Sequence, residues 1–346
     1  MKFSLKNTII PILASRPVTA LATRFLGYGI PIFMLHRMTH EGHSAAGRIT
    51  ANHLRRCLQY LVDNGHTFIS LEHLILSLRN KQVLPPKAVA FTMDDGFADQ
   101  AEIAAPIFLE FDCPLTIFVI TGMLDQTMWP WDAQVSWITE TTQKTSLDID
   151  VAGKILRLKF EDAPGRRLAK QSIQNILREM AAEQVPDILQ QIAHDAAVHV
   201  PENPPPAYQP MTWEMARRLE SAGIRFAPHS ITHNIVSKLT DESVEKEIQG
   251  SWQTLKKELA NPLKVFCYPR GCTTDFGSRE IEILKKNQFL GATTTNPECV
   301  DLSKDPQRQI FNLPRLALPD SITDLIQYST WIEHFKNSRR KPVISK

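Results

Sequence analysis

The chain has no Cys-x-x-Cys pair. Its five cysteines, Cys57, Cys113, Cys267, Cys272 and Cys299, are odd in number and mostly widely spaced. Neither a disulfide framework nor a cysteine-rich zinc or redox site is indicated, and free thiols fit a reducing compartment. No apolar run reaches the ~18 residues of a membrane-spanning helix. No charge sign dominates: 39 Lys+Arg against 37 Asp+Glu leave +2. That balance implies no polyanionic partner, so no nucleic acid is expected. No internal repeat or long low-complexity tract is present. No glycine-rich phosphate loop follows the first candidate strand, where Leu35-His36-Arg37-Met38 stands. What remains is ordinary globular composition: 346 residues, 43% apolar and 22% charged. One large domain, or one domain with a sizeable insertion, is the expectation.

At the N-terminus, Lys2 and Lys6 precede the apolar stretch Ile9–Ala14, which Pro11 and Arg16 interrupt. Residues 1–29 therefore read as an extension rather than a signal peptide. Arg16 and Arg24 among apolar residues permit an amphipathic helix and peripheral membrane contact through this segment. The expected location is cytoplasmic, with a membrane-associated or exported protein as the alternative. Residues 337–346 form a basic tail.

Between these ends, β-rich runs alternate with helical patterns. Candidate strands are Ile30–Leu35, Thr67–Leu71, Ala88–Met93, Leu115–Ile120, Ile224–Ala227, Lys264–Tyr268, Leu290–Thr294 and Phe311–Leu318. Candidate helices are Ala51–Asn64, Leu71–Leu78, Asp99–Phe111, Trp213–Ala222, Asp241–Leu259, Ser278–Lys286 and Ile322–Phe335. This alternation predicts an α/β chain, a distorted (β/α) barrel of seven or eight parallel strands over residues 30–336. An open doubly wound sheet is the runner-up, and it normally carries the missing phosphate loop. The pattern breaks over about 124–210. Ser146–Phe160 alternates around Ala152-Gly153-Lys154 as a β-hairpin, and two helical patterns and the Pro-rich stretch Pro201–Pro210 follow. This reads as an insertion beside or over the barrel mouth.

Polar clusters stand just past four candidate strands, where barrel active sites form. They are His36-Arg37, Asp94-Asp95-Gly96, Pro228 to His233, and Pro269-Arg270-Gly271. His229 and His233, four apart, suit two imidazoles on one metal, although such pairs are common by chance. Adjacent aspartates at a strand end point in different directions, so one can ligate a metal while the other faces a water. In isolation Asp-Asp-Gly is more often a solvated turn; with His-x-x-x-His after another strand the metal reading gains. Trp129 and Trp131 suit a sugar groove or a core equally. Trp213 and the other histidines, including His40 and His43, read as packing or surface residues.

Phe91-Thr92-Met93-Asp94-Asp95-Gly96, His229-Ser230-Ile231-Thr232-His233 and Phe266-Cys267-Tyr268-Pro269-Arg270-Gly271 resemble the three signature motifs of the polysaccharide deacetylases, the NodB-homology group. The resemblance runs from about Ile30 to Leu318 apart from the insertion. It implies a metal-dependent hydrolase that removes N-acetyl groups from an N-acetylated glycan or glycolipid. Asp95, His229 and His233 would hold a divalent metal, with Asp94 as general base. The Arg270 backbone N–H would serve the oxyanion, and Tyr268 with Trp129 and Trp131 would bind substrate. Two imidazoles and one carboxylate suit zinc first, and also cobalt, nickel or iron.

Two departures from the family pattern stand out. Leu313-Pro314-Arg315-Leu316-Ala317-Leu318 lacks the histidine that many members use as general acid. One branch, resembling poly-N-acetylglucosamine deacetylases, places the acid near the N-terminus, and His36 fits that position. Cys267 replaces an arginine that orients the base in many members. Arg315, and more weakly Arg37, could lend the guanidinium instead. Two rivals remain: a barrel that binds carbohydrate without catalysis, and a hydrolase of a formyl or cyclic amide.

Overall fold

The computed structural model describes residues 5–39, 48–151 and 153–339. His40, His43, Ala152 and residues 340–346 lie outside them. The architecture is α/β, with a central parallel sheet and flanking helices. We number its parallel strands β1 (Ile32–Leu35), β2 (Thr67–Phe68), β3 (Ala88–Asp95), β4 (Leu115–Val119), β5 (Arg225–Pro228), β6 (Val265–Cys267), β7 (Gly291–Thr293) and β8 (Leu316–Ala317).

The main sheet runs β5-β4-β3-β1-β8, and β2 pairs with the start of β3. β6 and β7 form a separate parallel pair. A single parallel bridge, Thr293 to Leu313, leads from β7 toward β8. This arrangement is consistent with the distorted barrel read from the sequence. All eight residues of β3 are buried, as a parallel strand covered on both faces requires. Register carries the functional consequence. Asp95 lies level with Val119, and Val119 with Pro228. The carboxylate pair and the histidine loop thus leave the sheet at the same edge.

Helices bury apolar stripes against this sheet. Ala51–Asp63 turns Leu54, Cys57, Leu58 and Leu61 inward, the i, i+3, i+4, i+7 pattern of one helix face, and Thr50 caps it by accepting from the His53 N–H. The hairpin strands Ser146–Val151 and Lys154–Lys159 pair antiparallel. With helices Ala163–Glu179 and Val185–Asp195 they enclose a cluster of their own that includes Ile149, Phe160, Ile173 and Leu189.

Several elements differ from expectation. Pro31, which lacks an N–H, divides the first run into Gly29–Ile30 and β1. Only Leu316–Ala317 of the last candidate strand pairs as a strand. The Asp99–Phe111 helix opens with a π-helical turn over Gln100–Ala104, and the C-terminal helix breaks into Ile322–Tyr328 and Trp331–Ser338.

The N-terminus requires a correction. Leu5–Leu13 and Arg16–Leu26 are both helical and meet at 73°. Among the described residues no single helix is long and apolar enough to cross a membrane; this bent pair meets the length and composition of a span only when its two helices are taken together. Pro11 is accommodated inside the first helix and Arg16 falls at the bend, so neither removes the apolar character. Leu5, Ile12, Leu21 and Phe25 face solvent. The cytoplasmic expectation is thereby overturned: a helix pair of this kind resembles a signal sequence and points to membrane association or export.

Phe91 anchors the base of the site. Its ring lies 5.4 Å from Phe33, 5.9 Å from Phe68 and 5.3 Å from Phe108. Phe91→Ala should lower the unfolding free energy by ~3–5 kcal/mol, measured by urea denaturation. A loss below ~1 kcal/mol would show that the cluster collapses around the gap.

Candidate metal centre

Three strand-end loops deliver the polar side chains, and each uses backbone that side-chain-bearing residues rarely adopt. Asp95 has φ +88°, Ser230 +66°, His233 +61° and Arg270 +60°. Such left-handed residues cost energy and persist where the surroundings fix them. A Cβ on Gly96, at φ +89°, would sit on strained backbone and crowd Leu124 at 2.9 Å and Val119 at 3.0 Å.

The histidine loop is held from outside by Glu247, on the buried face of helix Asp241–Glu258. Its carboxylate accepts from the backbone N–H groups of Ile231 (2.7 Å) and Thr232 (2.9 Å) and from the Thr232 hydroxyl (2.7 Å). The other side is pinned by the sheet edge: Thr121 N–H donates to Ser230 O and Gly122 N–H to Ile231 O, at 3.1 and 3.0 Å. Inside the loop, His233 N–H donates to Ser230 Oγ at 2.9 Å.

These restraints bring Asp95, His229 and His233 together. Asp95 Oδ1 lies 3.6 Å from His229 Nε2 and 3.7 Å from His233 Nε2. The three ligand atoms converge but are too far apart for direct hydrogen bonds. That spacing fits three donors around one divalent ion. His229 Nδ1 is 2.8 Å from the Cys267 carbonyl, so Nδ1 carries the proton and Nε2 presents its lone pair. Burial, then the neighbouring His233 charge, pull His229 down to about 3, which keeps it neutral. Burial also pulls His233 down, but Asp132, with Oδ1 3.6 Å from Nδ1, and then Asp95 outweigh it and raise His233 to about 9. A second convergence joins Asp94, His229 and Cys267. It is a poorer donor set, because Arg315 occupies both Asp94 oxygens and burial pushes the Cys267 thiol up, away from thiolate.

Asp94 sits beside this centre. Arg315 has no exposed surface and grips it bidentately at 2.6 and 2.7 Å. Burial pushes the Asp94 carboxyl up, but the guanidinium prevails and holds it well below the usual carboxylate range. Across the pocket, His36 Nε2 lies 3.7 Å from Asp94 Oδ2, with its side chain 43% exposed. The Gln100 side chain donates to the carbonyls of both His36 and Asp94, joining the two strand ends. A cavity of about 190 Å³ is lined by His36, Asp94, Asp95, Trp131, His229 and Arg270, among others.

Three sequence assignments change. Tyr268 is fully buried, stacked on Phe276 at 4.0 Å and donating to Phe311 O at 3.2 Å, so it cannot touch substrate. Trp129 is 4% exposed and lines a neighbouring cavity of about 650 Å³, which Trp131 also borders. Arg37 does not reach Asp94; it pairs with Asp99 at 2.7 Å and covers the Phe97 ring. Asp132, Arg178, Gln100 and Glu247 escaped sequence reading. Glu247 alone left a signal, an acid on the same helical face as Val244, Ile248, Ser251 and Leu255.

Gly122 tests the histidine loop. A Cβ there would fall 2.6 Å from the Ile231 carbonyl. Gly122→Ala should cost ~1–3 kcal/mol in stability and weaken metal binding, read by denaturation and zinc titration. Unchanged zinc affinity would show that the loop yields freely. The proton on His233 competes with a metal, so zinc affinity should rise with pH, by about tenfold per unit, and level off near His233's value of about 9. Asp132→Asn, which lowers that value, should move the plateau to lower pH. An unchanged profile would remove Asp132 from this role.

The polysaccharide deacetylase family model matches residues 148–289. That span includes both histidines and Arg270 but begins after Asp94 and Asp95. A Bacillus subtilis protein named as a polysaccharide deacetylase, YxkH, is 29% identical over 91 residues. The alignment covers 26% of this chain and spans about a third of that relative (32%). In fold, the chain is similar to the Streptococcus pyogenes deacetylase PplD, solved in complex with acetate. The TM-score is 0.56 at 17% identity, covering 87% of this chain and 98% of that one. It is also similar to IcaB from Ammonifex degensii, with TM-score 0.55 at 15% identity, covering 89% and 98%. The polysaccharide deacetylase model thus matches less than half of the chain, and the three strand-end motifs resemble the signatures of the same family.

Proposed function

We propose that the chain is a divalent-metal-dependent hydrolase that removes N-acetyl groups from amino sugars of a glycan. The observation that carries this reading is the juxtaposition of two units in one pocket: the Asp95–His229–His233 cluster and an Asp94 carboxylate oriented by Arg315. Asp95, His229 and His233 would hold the ion, zinc by its donor set. When bound, the ion supplies Lewis-acid polarisation of the amide carbonyl and lowers the pKa of a water.

The residues then divide the proton traffic. Asp94, ionised across the working pH range, accepts a proton from the attacking water. Arg315 fixes its orientation and keeps it anionic. The Arg270 backbone N–H donates to the oxygen of the tetrahedral adduct. His36, on the open side of the pocket, donates a proton to the departing amine, which becomes the free amino sugar as acetate leaves. Trp131 offers an aromatic wall for the sugar ring. Residues 30–336 form the catalytic unit in this reading. The 124–210 insertion supplies part of its rim, and the N-terminal helix pair supplies a membrane contact.

The test measures metal content and acetate release from N-acetylated glycans side by side. Wild type should hold about one equivalent of transition metal, lost in His229→Ala/His233→Ala. His36→Ala should keep the metal and lose activity by about 10²–10⁴-fold. Asp94→Asn should also keep the metal and lose activity. In addition it should lose ~3–5 kcal/mol of stability, because Arg315 remains buried without its counter-charge. Undiminished acetate release in Asp94→Asn would sink the assignment of the base.

A further inference from the structure

Within the catalytic pocket, one cation has no carboxylate at ion-pair distance among the described residues. Arg178 stands in the last turn of helix Ala163–Glu179 and lines the cavity with Asp95, Asp132, His233 and Arg270. Its Nη1 donates to Asn175 Oδ1 at 2.9 Å and its Nη2 to Gln174 Oε1 at 3.3 Å, both neutral amides of its own helix. Its Nε is buried and has no acceptor. Among the described residues no carboxylate lies within 4.0 Å of this guanidinium. Burial and the nearby Arg270 charge pull Arg178 below its ordinary value, and the more distant Asp132 and Asp275 offset this only in part.

The other carboxylates of the pocket are committed. Asp94 is held by Arg315, Asp95 belongs to the metal cluster, and Asp132 faces His233. Arg270 has only Asp275, at 3.6 Å. A helix C-terminus favours a cation in its last turn, which accounts for an arginine there. It does not account for a guanidinium that lines the pocket with only neutral amides as hydrogen-bond partners. A neutral polysaccharide has no group that would offset this charge. A guanidinium fork matches a phosphate or carboxylate, which accepts two parallel hydrogen bonds.

We propose that Arg178, with Arg270 behind it, recognises an anionic substituent on the substrate, so that the natural substrate is an N-acetyl amino sugar bearing a phosphate or a carboxylate close to the acetamido group. This rests on the deacetylase reading above and narrows its substrate class. Arg178 is then a specificity-determining residue supplied by the hairpin-and-helix segment and not by the sheet.

The test is calorimetric binding to the zinc-loaded full chain at low salt. The probes are N-acetylglucosamine, its 1-phosphate, its 6-phosphate, N-acetylglucosaminuronic acid and inorganic phosphate. At least one anionic sugar should bind about tenfold more tightly than the neutral sugar. Arg178→Met should abolish that preference and leave the neutral sugar's affinity unchanged. Arg178→Lys should retain part of it, and its melting temperature and metal content should match wild type. The phosphorylated and carboxylated probes distinguish the two anion sources, and inorganic phosphate measures anion capture by the zinc itself. No anion preference in wild type, or a preference that survives Arg178→Met, overturns the proposal. Acetate release from chitotetraose separates the two readings. Release with no anion preference leaves the deacetylase standing without this specificity. An Arg178-dependent preference without acetate release from any probe or from chitotetraose leaves the recognition standing and removes the reaction.

Discussion

A single guanidinium with no surface of its own holds the rim of this protein together. Arg315 Nε donates to the Thr294 carbonyl at 2.9 Å. Its Nη1 reaches Thr92 Oγ1 and Asp94 Oδ1, at 3.0 and 2.6 Å, and its Nη2 reaches Asp94 Oδ2 and Cys267 Sγ, at 2.7 and 3.1 Å. All five N–H donors of the fork are spent. The acceptors belong to β3, to β6 and to the residue just past β7, while Arg315 itself leads into β8. Hydrogen bonding is discontinuous between the β6–β7 pair and the main sheet. One buried ion pair thus spans the place where the ladder is interrupted. A buried pair is a weak source of net stability but a strong determinant of geometry, because neither partner tolerates loss of the other.

Much of this was legible in the sequence, because the signals were local. The run before Asp94, apolar but for Thr92, marks a strand buried on both faces, and turn residues mark the helix ends. His229 and His233 were readable as a pair, and their union with Asp95 follows from parallel register once the strands are in place. Arg315 was readable only as an alternative to the arginine missing at Cys267. What stayed hidden depends on side-chain direction or on tertiary distance. Tyr268 and Trp129 carry the composition of a sugar site, but alternation along a strand and the depth of the loop turn them inward. Arg37 follows His36 directly, yet the next position on an extended chain faces the other way, toward Asp99. Asp132 and Arg178 lie in a segment whose own pattern announces only a hairpin and helices. At the N-terminus the interruptions were read correctly as residues and wrongly as barriers, because a bend can join two short apolar helices.

Four of the ten non-glycine residues with positive φ among the described residues stand at the site. Asp95, Ser230, His233 and Arg270 each adopt positive φ without being glycine. Two of them are metal-side residues and one carries the backbone donor proposed for the oxyanion. The energetic cost is met by groups that do no chemistry themselves: Glu247 beneath the histidine loop, the Thr121–Gly122 backbone beside it, and Gly96 fitted against Val119 and Leu124.

The hairpin and its two helices enclose an apolar cluster of their own, including Val135 and Ile138 from the helix that starts at Trp131. Trp131, Asp132 and Arg178 therefore reach the pocket from a body whose packing is largely independent of the sheet. Its surface can drift, lengthen or be exchanged while Asp94, Asp95 and Arg315 keep their places. Divergence in what such a protein accepts would then be written in this segment, and divergence in what it does to the substrate in the strand ends.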